Sequence, residues 1–355
     1  MNIFLDNIIF SLQKSGGISV YWYELLKRIN NDNDFSCQFI DFKGYENIFR
    51  NKLKIDNTNI ILKKKALFQR YLPVKINSKN GVFHSSYYRY CSNRSIKNIV
   101  TVHDFTYEYF RGFLPKKIHN TQKKLAILNS DKVICISNNT KKDLLKFFPN
   151  TNKNKIEVIY NGISSEFFSI ENCRNKIKKI IPFEKMEYAV YIGNRIPKYK
   201  NFELAVKSCS ISKTPLVIVG TNLTKTELNL LNHYLKNNFK LILNPANELI
   251  NLIYNNALCL LYPSAYEGFG LPVVEAQKAG CSVICSNSSS LGEVAGNGGV
   301  FFNDFNEYEI SEKINLLISN NNFRLSKIKN GILNSDKFSW DLTYKKIKSI
   351  YKSYY

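Results

Sequence analysis

The chain is poor in histidine, methionine and tryptophan, and no two of its cysteines sit at Cys-x-x-Cys spacing. Its four histidines, at 84, 103, 119 and 233, make no metal-ligand spacing with the eight cysteines at 37, 91, 135, 173, 209, 259, 281 and 285, so no metal site is expected. Several cysteines lie inside apolar runs such as Val133-Ile134-Cys135-Ile136 and read as small core residues of a reduced, cytoplasmic protein. The opening Met1-Asn2-Ile3-Phe4-Leu5-Asp6 shows neither the basic nor the apolar region of a signal peptide. No run approaches the roughly 18 uncharged apolar residues of a membrane span, so any membrane contact is expected to be peripheral. Disorder and low complexity are excluded by the 44% hydrophobic and 14% aromatic content.

What is present is length and positive charge. At 355 residues the chain exceeds the roughly 250–300 at which one core stops growing, which favours two domains. Lys and Arg number 50 against 28 Asp and Glu, a formal net charge of +22. Residues 1–170 carry 27 basic and 13 acidic side chains (+14), and 171–355 carry 23 and 15 (+8). Such an excess suits nucleic acid, an anionic membrane surface or a phosphate-bearing ligand. It is scattered, in short clusters such as Lys63-Lys64-Lys65, Lys116-Lys117 and Lys123-Lys124, and codon bias in an Asn/Lys/Ile-rich sequence is the competing explanation.

Short β-branched runs alternate with longer amphipathic segments, the pattern of α/β units on parallel sheets. Strands are expected at 2–5, 37–41, 81–84, 99–103, 132–136 and 156–159, then at 188–192, 216–219, 240–242, 257–261 and 282–285. Helices are expected at 18–29, 115–129 and 138–147, the last N-capped by Ser137, then at 202–212, 225–236, 247–255, 270–278 and 308–320. The polar stretch Ser164–Pro182 is the expected linker. The organisation is thus two doubly wound, Rossmann-like α/β domains, 1–168 and 169–337, facing across a cleft, with 338–355 as a terminal helix. Ligands of such sheets bind in loops beyond the carboxyl ends of strands.

The most informative such loop is Tyr262-Pro-Ser-Ala-Tyr-Glu267-Gly268-Phe269-Gly270-Leu271-Pro272-Val-Val-Glu275-Ala276. Gly268 and Gly270 allow a ligand close to the backbone, Pro272 suits the first helical turn, and the helix N-terminus offers N–H groups to a phosphate. Glu275, a turn further on, can meet sugar hydroxyls. Phosphate plus hydroxyls describes a sugar nucleotide.

The arrangement of Glu267 and Glu275 around Gly-Phe-Gly-Leu-Pro resembles the signature of retaining family 4 glycosyltransferases of the two-Rossmann-domain, GT-B type. The resemblance spans nearly the whole chain through Ser15-Gly16-Gly17-Ile18-Ser19, Val102-His103-Asp104, Ile134–Thr140, Ile159–Gly162 and Gly193-Asn194-Arg195-Ile-Pro-Lys-Tyr-Lys200-Asn201. It implies that Glu275 holds the nucleotide ribose and Glu267 contacts the donor sugar, with Phe269, Gly270 and Leu271 forming the phosphate turn. Arg195 and Lys200 match the cations that neutralise the donor diphosphate, Gly16 and Gly17 match the turn that approaches it from the other domain, and His103 matches a positioning histidine near the sugar. His84 is a candidate for the acceptor side, and Glu293 matches a further family block as a structural residue. Phe338-Ser-Trp340-Asp and Tyr344–Tyr354 resemble the family's last helix, which returns to the N-terminal domain.

The scarcity of Asp-x-Asp argues against the metal-dependent donor site of the other major glycosyltransferase fold, so no cofactor or metal is expected. The implied function is retaining transfer of a hexose from a nucleoside diphosphate sugar, GDP-mannose or a related GDP-sugar, to a lipid-linked oligosaccharide. Bacterial O-antigen and capsule enzymes are the nearest likeness, which implies a cytoplasmic protein peripheral at the inner leaflet. The alternatives are a basic protein that binds nucleic acid or anionic surfaces, and a sugar-nucleotide epimerase or a phosphorylase on the same scaffold.

Overall fold

The alternating runs become strands and helices in nearly the order that the sequence sets out. The structure, a computed structural model, describes residues 1–64, 66–171 and 173–354; Lys65 of the 63–65 cluster, Asn172 of the expected linker and Tyr355 lie outside the described residues. Two units separate, one from Met1–Gly162 plus the chain from Trp340 onward, the other from Ile163–Ser339.

The first unit is built on β1 (Asn2–Asp6), β2 (Ser36–Phe42), β3 (Ile60–Lys63), β4 (Gly81–Ser85), β5 (Ile96–Val102), β6 (Lys132–Cys135) and β7 (Ile156–Val158). They form one parallel sheet in the order β3-β2-β1-β4-β5-β6-β7. The second unit holds β8 (Ala189–Ile192), β9 (Leu216–Gly220), β10 (Phe239–Leu243), β11 (Cys259–Tyr262), β12 (Ser282–Ser286) and β13 (Gly299–Phe302), parallel in the order β10-β9-β8-β11-β12-β13. Helices cover both faces, so the strands are almost wholly apolar, as in Leu216-Val-Ile-Val and Cys259-Leu-Leu.

β3 and β13, each a four-residue strand at an edge of its sheet, are not among the expected strands. The helix Asn321–Ser335 is also missed: Asn320 ends the preceding helix Glu307–Ser319 and at once caps the next by accepting from Phe323 N–H at 2.9 Å. Ser137 does cap Asn138–Phe147, accepting from Thr140 N–H at 3.0 Å.

Ser164–Pro182 is not a linker. Phe167, Cys173, Ile177 and Ile181 are buried in the second unit, and the backbone N–H groups of Phe168 and Ile170 donate to Asn251 and Asn255 at 3.2 and 2.6 Å. Its charged residues mask apolar ones that pack onto the helix Asn247–Asn256. Residues 163–168, expected in the first domain, therefore belong to the second unit.

The terminal helix Trp340–Lys352 packs into the first unit, burying Trp340, Ile347, Ile350 and Tyr351 in a core with Ile3, Leu5, Trp22 and Leu26. Lys348 bridges Asp32 and Asp34 at 2.6 and 2.8 Å, and Lys352 reaches Asp34 at 2.7 Å. The Asp-x-Asp at 32–34 is thereby occupied in holding this helix. All eight cysteines are free thiols, seven of them buried. Among the described residues no helix is long and apolar enough to cross a membrane.

Candidate active site

In the second sheet β8 and β11 lie side by side, β9 and β10 winding away from one and β12 and β13 from the other. The crevice beyond their carboxyl ends is where such a sheet takes a ligand. The loop after β8 carries Arg195 and Lys200, and the loop after β11 carries Glu267–Leu271.

Direct bonds join the two loops. Ala265 N–H donates to the Tyr199 carbonyl at 2.8 Å, and Asn201, held in a left-handed conformation (φ 51°), donates through its side chain to the Pro263 carbonyl at 2.9 Å. Lys200 Nζ meets Glu267 Oε1 at 2.5 Å, both side chains keeping some exposure. Tyr262 also hydrogen-bonds Glu267, and the Lys200 ammonium lies 5.7 Å from the Tyr262 ring centre. Cation and carboxylate thus neutralise each other at the mouth of the crevice.

The Glu267–Gly270 turn is fixed from the loop after β12. Glu267 N–H donates to Ser289 Oγ at 2.9 Å, while Ser290 Oγ lies 2.9 Å from the Glu267 carbonyl and 3.0 Å from that of Phe269. Phe269 is buried edge-on against Phe338, with ring centres 5.4 Å apart, so its side chain is core and only its backbone can serve a ligand. Gly270 has φ +96°, and a Cβ there would come 2.6 Å from Leu291 Cδ2. It opens the helix Leu271–Lys278 without a side-chain cap, and Pro272 removes one N–H from the first turn. Among the described residues the N–H groups of Gly270 and Leu271 have no protein acceptor, which leaves the positive end of the helix for an anion.

Glu275 sits one turn into that helix, half-buried, and among the described residues no side chain or backbone donor meets its carboxyl. Burial pushes its pKa up to about 7. The helix is itself pinned by Gln277, which donates to the Ala295 carbonyl at 2.8 Å and accepts from Asn334 at 2.9 Å. A half-buried carboxylate on a rigid helix, with no partner of its own, is preorganised for a ligand that donates hydrogen bonds.

Arg195 is placed differently from an open phosphate clamp. Its Nε pairs with Glu227 at 2.8 Å and its Nη2 donates to the carbonyls of Thr221 and Asn222 at 3.0 and 2.9 Å. Only Nη1, buried beside Gly220, has no partner. Glu227 has a second duty in the capping box of Lys225–Tyr234, so its Thr-x-x-Glu signal is legible in the sequence but says nothing of Arg195.

In the first unit the strand order reverses between β1 and β4. Gly17 opens the helix Gly17–Ile29, and a Cβ built on it meets no atom within 4 Å beyond its chain neighbours and its own helix backbone, whereas at Gly16 (φ +152°) a Cβ would lie 2.6 Å from Gln13 Oε1. His103 follows β5 and is buried edge-on to Tyr21, ring centres 5.0 Å apart; burial pushes its pKa down to about 4, so it is neutral at pH 7. His84 does not line an acceptor surface. It is fully buried in β4, with Nδ1 2.6 Å from Tyr351 Oη and Nε2 2.9 Å from Thr101 Oγ1.

Sequence reasoning also missed the pair behind His103. Lys123 Nζ, fully buried, donates to the Asp104 carbonyl at 2.8 Å and stands 2.9 Å from the buried Glu108 carboxylate. Its neighbour Lys124 points to solvent, and nothing in the doublet distinguishes the two. Among the described residues no group of three or more His, Cys, Asp or Glu is placed to hold a metal ion.

Comparison with known families identifies the chain. The model for glycosyltransferase family 4 matches residues 15–167, and that for glycosyl transferases group 1 matches residues 173–333. The chain belongs to glycosyltransferase family 4. An uncharacterized glycosyltransferase of Methanocaldococcus jannaschii is 25% identical to it over 354 residues, 95% of this chain and 94% of that one. The O-antigen chain mannosyltransferase B of Escherichia coli is 26% identical, covering 74% of this chain and 72% of its own. The crystal structure of Anabaena HepE in complex with UDP and glucose superposes with a TM-score of 0.74 over 99% of both chains at 14% identity, which establishes the shared fold. This glycosyltransferase therefore has the expected architecture of two Rossmann-like domains with parallel sheets, its last helix returned to the first.

Proposed function

We propose that this glycosyltransferase moves a hexose from a nucleoside diphosphate sugar, a GDP-sugar such as GDP-mannose, to a lipid-linked oligosaccharide during assembly of a surface polysaccharide. The anomeric configuration is retained, and the protein works in the cytoplasm at the inner face of the membrane. The observation that carries the donor assignment is the partnerless carboxyl of Glu275, one turn beyond an uncapped, glycine-led helix N-terminus. In this reading Glu275 accepts from the ribose hydroxyls, and the backbone at Phe269, Gly270 and Leu271 takes a phosphate.

Lys200 and Glu267 part when donor enters, Lys200 turning to the diphosphate and Glu267 to the sugar. Arg195 contributes through Nη1, the nitrogen that Glu227 and the two carbonyls leave open. No metal is needed, because two cations and a helix N-terminus meet the charge that builds on the leaving group. The bond from the anomeric carbon to the phosphate oxygen breaks, that to the acceptor oxygen forms on the same face, and the acceptor proton passes to the departing phosphate. Gly16 and Gly17 are assigned to the diphosphate and neutral His103 to positioning the sugar, both from the family resemblance.

The surface-polysaccharide pathway and the mannose donor rest on relatives such as the O-antigen mannosyltransferase; HepE, which holds UDP and glucose, keeps the base a question for measurement. The test is a panel of GDP-, UDP- and dTDP-sugars offered to the purified protein, read as saturable binding and slow donor hydrolysis. GDP-mannose is expected to bind tightest. A folded protein that binds none of them overturns the reading, a UDP-sugar preference overturns the base, and an epimerised nucleotide sugar formed without acceptor replaces transfer by epimerisation.

A further inference from the structure

Arginine has five N–H donors, and three of those on Arg195 are taken up inside the second unit. Its Nε donates to Glu227 Oε1 at 2.8 Å, and its Nη2 donates to the carbonyls of Thr221 and Asn222 at 3.0 and 2.9 Å. The side chain is nearly sealed, at 2% exposure against 14% for Glu227, and its guanidinium lies 5.6 Å from the Phe202 ring centre. The Nη1 hydrogens remain, on an atom that is buried and, among the described residues, has no partner. An ion pair so placed gains little net stability, because both charges lose water to form it, and a buried donor left unpaired adds a further cost. Stability alone does not account for the arrangement.

Glu227 divides its two carboxylate oxygens between two tasks. Oε1 takes Arg195, while Oε2 accepts from Thr224 N–H at 2.7 Å, and Glu227 N–H in turn donates to Thr224 Oγ1 at 3.2 Å. The second task fixes the carboxylate to the first turn of the helix Lys225–Tyr234, so Oε1 is presented from a rigid element. Burial works against the charged form of Glu227, but the Thr224 N–H and the Arg195 guanidinium outweigh it and hold the pKa below the ordinary 4.5. Gly220, the last residue of β9, closes the holder from the other side: a Cβ there would come 2.9 Å from Arg195 Nη1 and 3.1 Å from the Gly193 carbonyl oxygen. A side chain at 220 would push on the one nitrogen that is still open.

We infer that Glu227 is the positioning residue of Arg195, and that together with Gly220 it holds Nη1 ready for the donor diphosphate before the nucleotide sugar arrives. This role rests on the donor reading of Arg195 above and names the residues through which that cation works. An arginine free to swing has to be ordered as charge develops on the leaving group. One held by Glu227 and two carbonyls needs no such reorganisation, and its two Nη1 hydrogens keep one direction.

The experiment follows hydrolysis of GDP-mannose, or of the nucleotide sugar that the donor panel selects, by the full chain, with melting temperature alongside. Glu227→Gln offers one side-chain oxygen to two donors, so kcat should fall about 10–10²-fold with KM changed less. Thr224→Ala breaks the cap but leaves Oε1 on Arg195, so it should lower the melting temperature and keep kcat. Arg195→Ala should lower kcat by about 10²–10³, and adding Glu227→Gln to it should lower kcat no further, because the two act as one unit. Gly220→Ala should also lower kcat, and it reads the same holder should Glu227→Gln fail to fold. Wild-type kcat in folded Glu227→Gln or Gly220→Ala, a loss in Thr224→Ala equal to that in Glu227→Gln, or a further loss in the Arg195→Ala background overturns the role of Glu227 and leaves the donor reading standing. Wild-type kcat in Arg195→Ala, or a folded wild type that turns over no donor of the panel, overturns the donor reading of Arg195 and this role with it.

Discussion

Replacing Glu275 by Gln separates a ligand-binding carboxyl from an ordinary helix residue, because the structure sets the sign of two effects. Burial raises the Glu275 pKa from its ordinary 4.5 to about 7 with no partner to compensate. Since the folded state holds the proton more tightly than the unfolded one, ionising Glu275 costs nothing below pH 4.5. The cost grows between pH 4.5 and 7 and is complete above. At about 1.4 kcal/mol per pH unit the span is worth about 3 kcal/mol, an upper bound because the side chain keeps partial exposure. Glu275→Gln should therefore match wild type in stability at pH 4.5 and exceed it by about 1–3 kcal/mol at pH 8, read by urea unfolding at both pH values.

Donor binding should run the opposite way. Ribose hydroxyls need an ionised acceptor, so wild-type affinity for the nucleotide sugar should rise as pH increases, falling about tenfold for each unit below 7. The variant should bind weakly at every pH, without that slope. Calorimetric titration at pH 6 and 8 reads both. A variant less stable than wild type at pH 8, or one that keeps the wild-type slope, would falsify the assignment.

Three further substitutions follow. Gly17→Ala adds a methyl group that meets nothing within 4 Å beyond its chain neighbours and its own helix backbone, so melting temperature should hold or rise while donor binding weakens; unchanged donor binding removes Gly17 from the site. Lys200→Ala should lower kcat by about 10²–10³, the usual loss when one group that stabilises developing negative charge is removed, with KM changed less. An equal fall in binding of the free nucleotide would make Lys200 a ground-state contact instead. Lys123→Ala leaves Glu108 buried without its cation and should cost about 3–5 kcal/mol in chemical denaturation. A loss within about 0.5 kcal/mol, typical of surface changes, would mean that the pair does not anchor the helix Phe113–Leu128.

The fold was legible because a parallel sheet covered on both faces writes itself as apolar runs, and such runs mark eleven of the thirteen strands. What stayed hidden has a common cause, a signal that depends on which side of an element faces inward. The helix Phe113–Leu128 reads as a normal amphipathic segment until the structure shows that its lysine at 123 is core and its leucine at 114 is surface. Ser164–Pro182 reads as a linker because the charges between Phe167, Cys173, Ile177 and Ile181 outnumber them, although those four decide where the segment packs.

The site divides along the same line. Gly270 through Glu275 follow one another along the first turns of a single helix, so their order in the sequence already describes that part of the cradle, whereas the Glu267 turn before it is fixed by Ser289 and Ser290. Arg195 and Lys200 also share one loop, but the direction of each side chain is set by residues far away in sequence, Glu227 for one and Glu267 for the other. Both count as one cation in the +22, yet only Lys200 presents its charge at the mouth of the crevice, while Arg195 has two of its three nitrogens committed. The total charge therefore measures neither: one cation bridges the two loops, the other ties the loop after β8 to the helix Lys225–Tyr234, and the exposed lysines around Phe113 belong to a different surface.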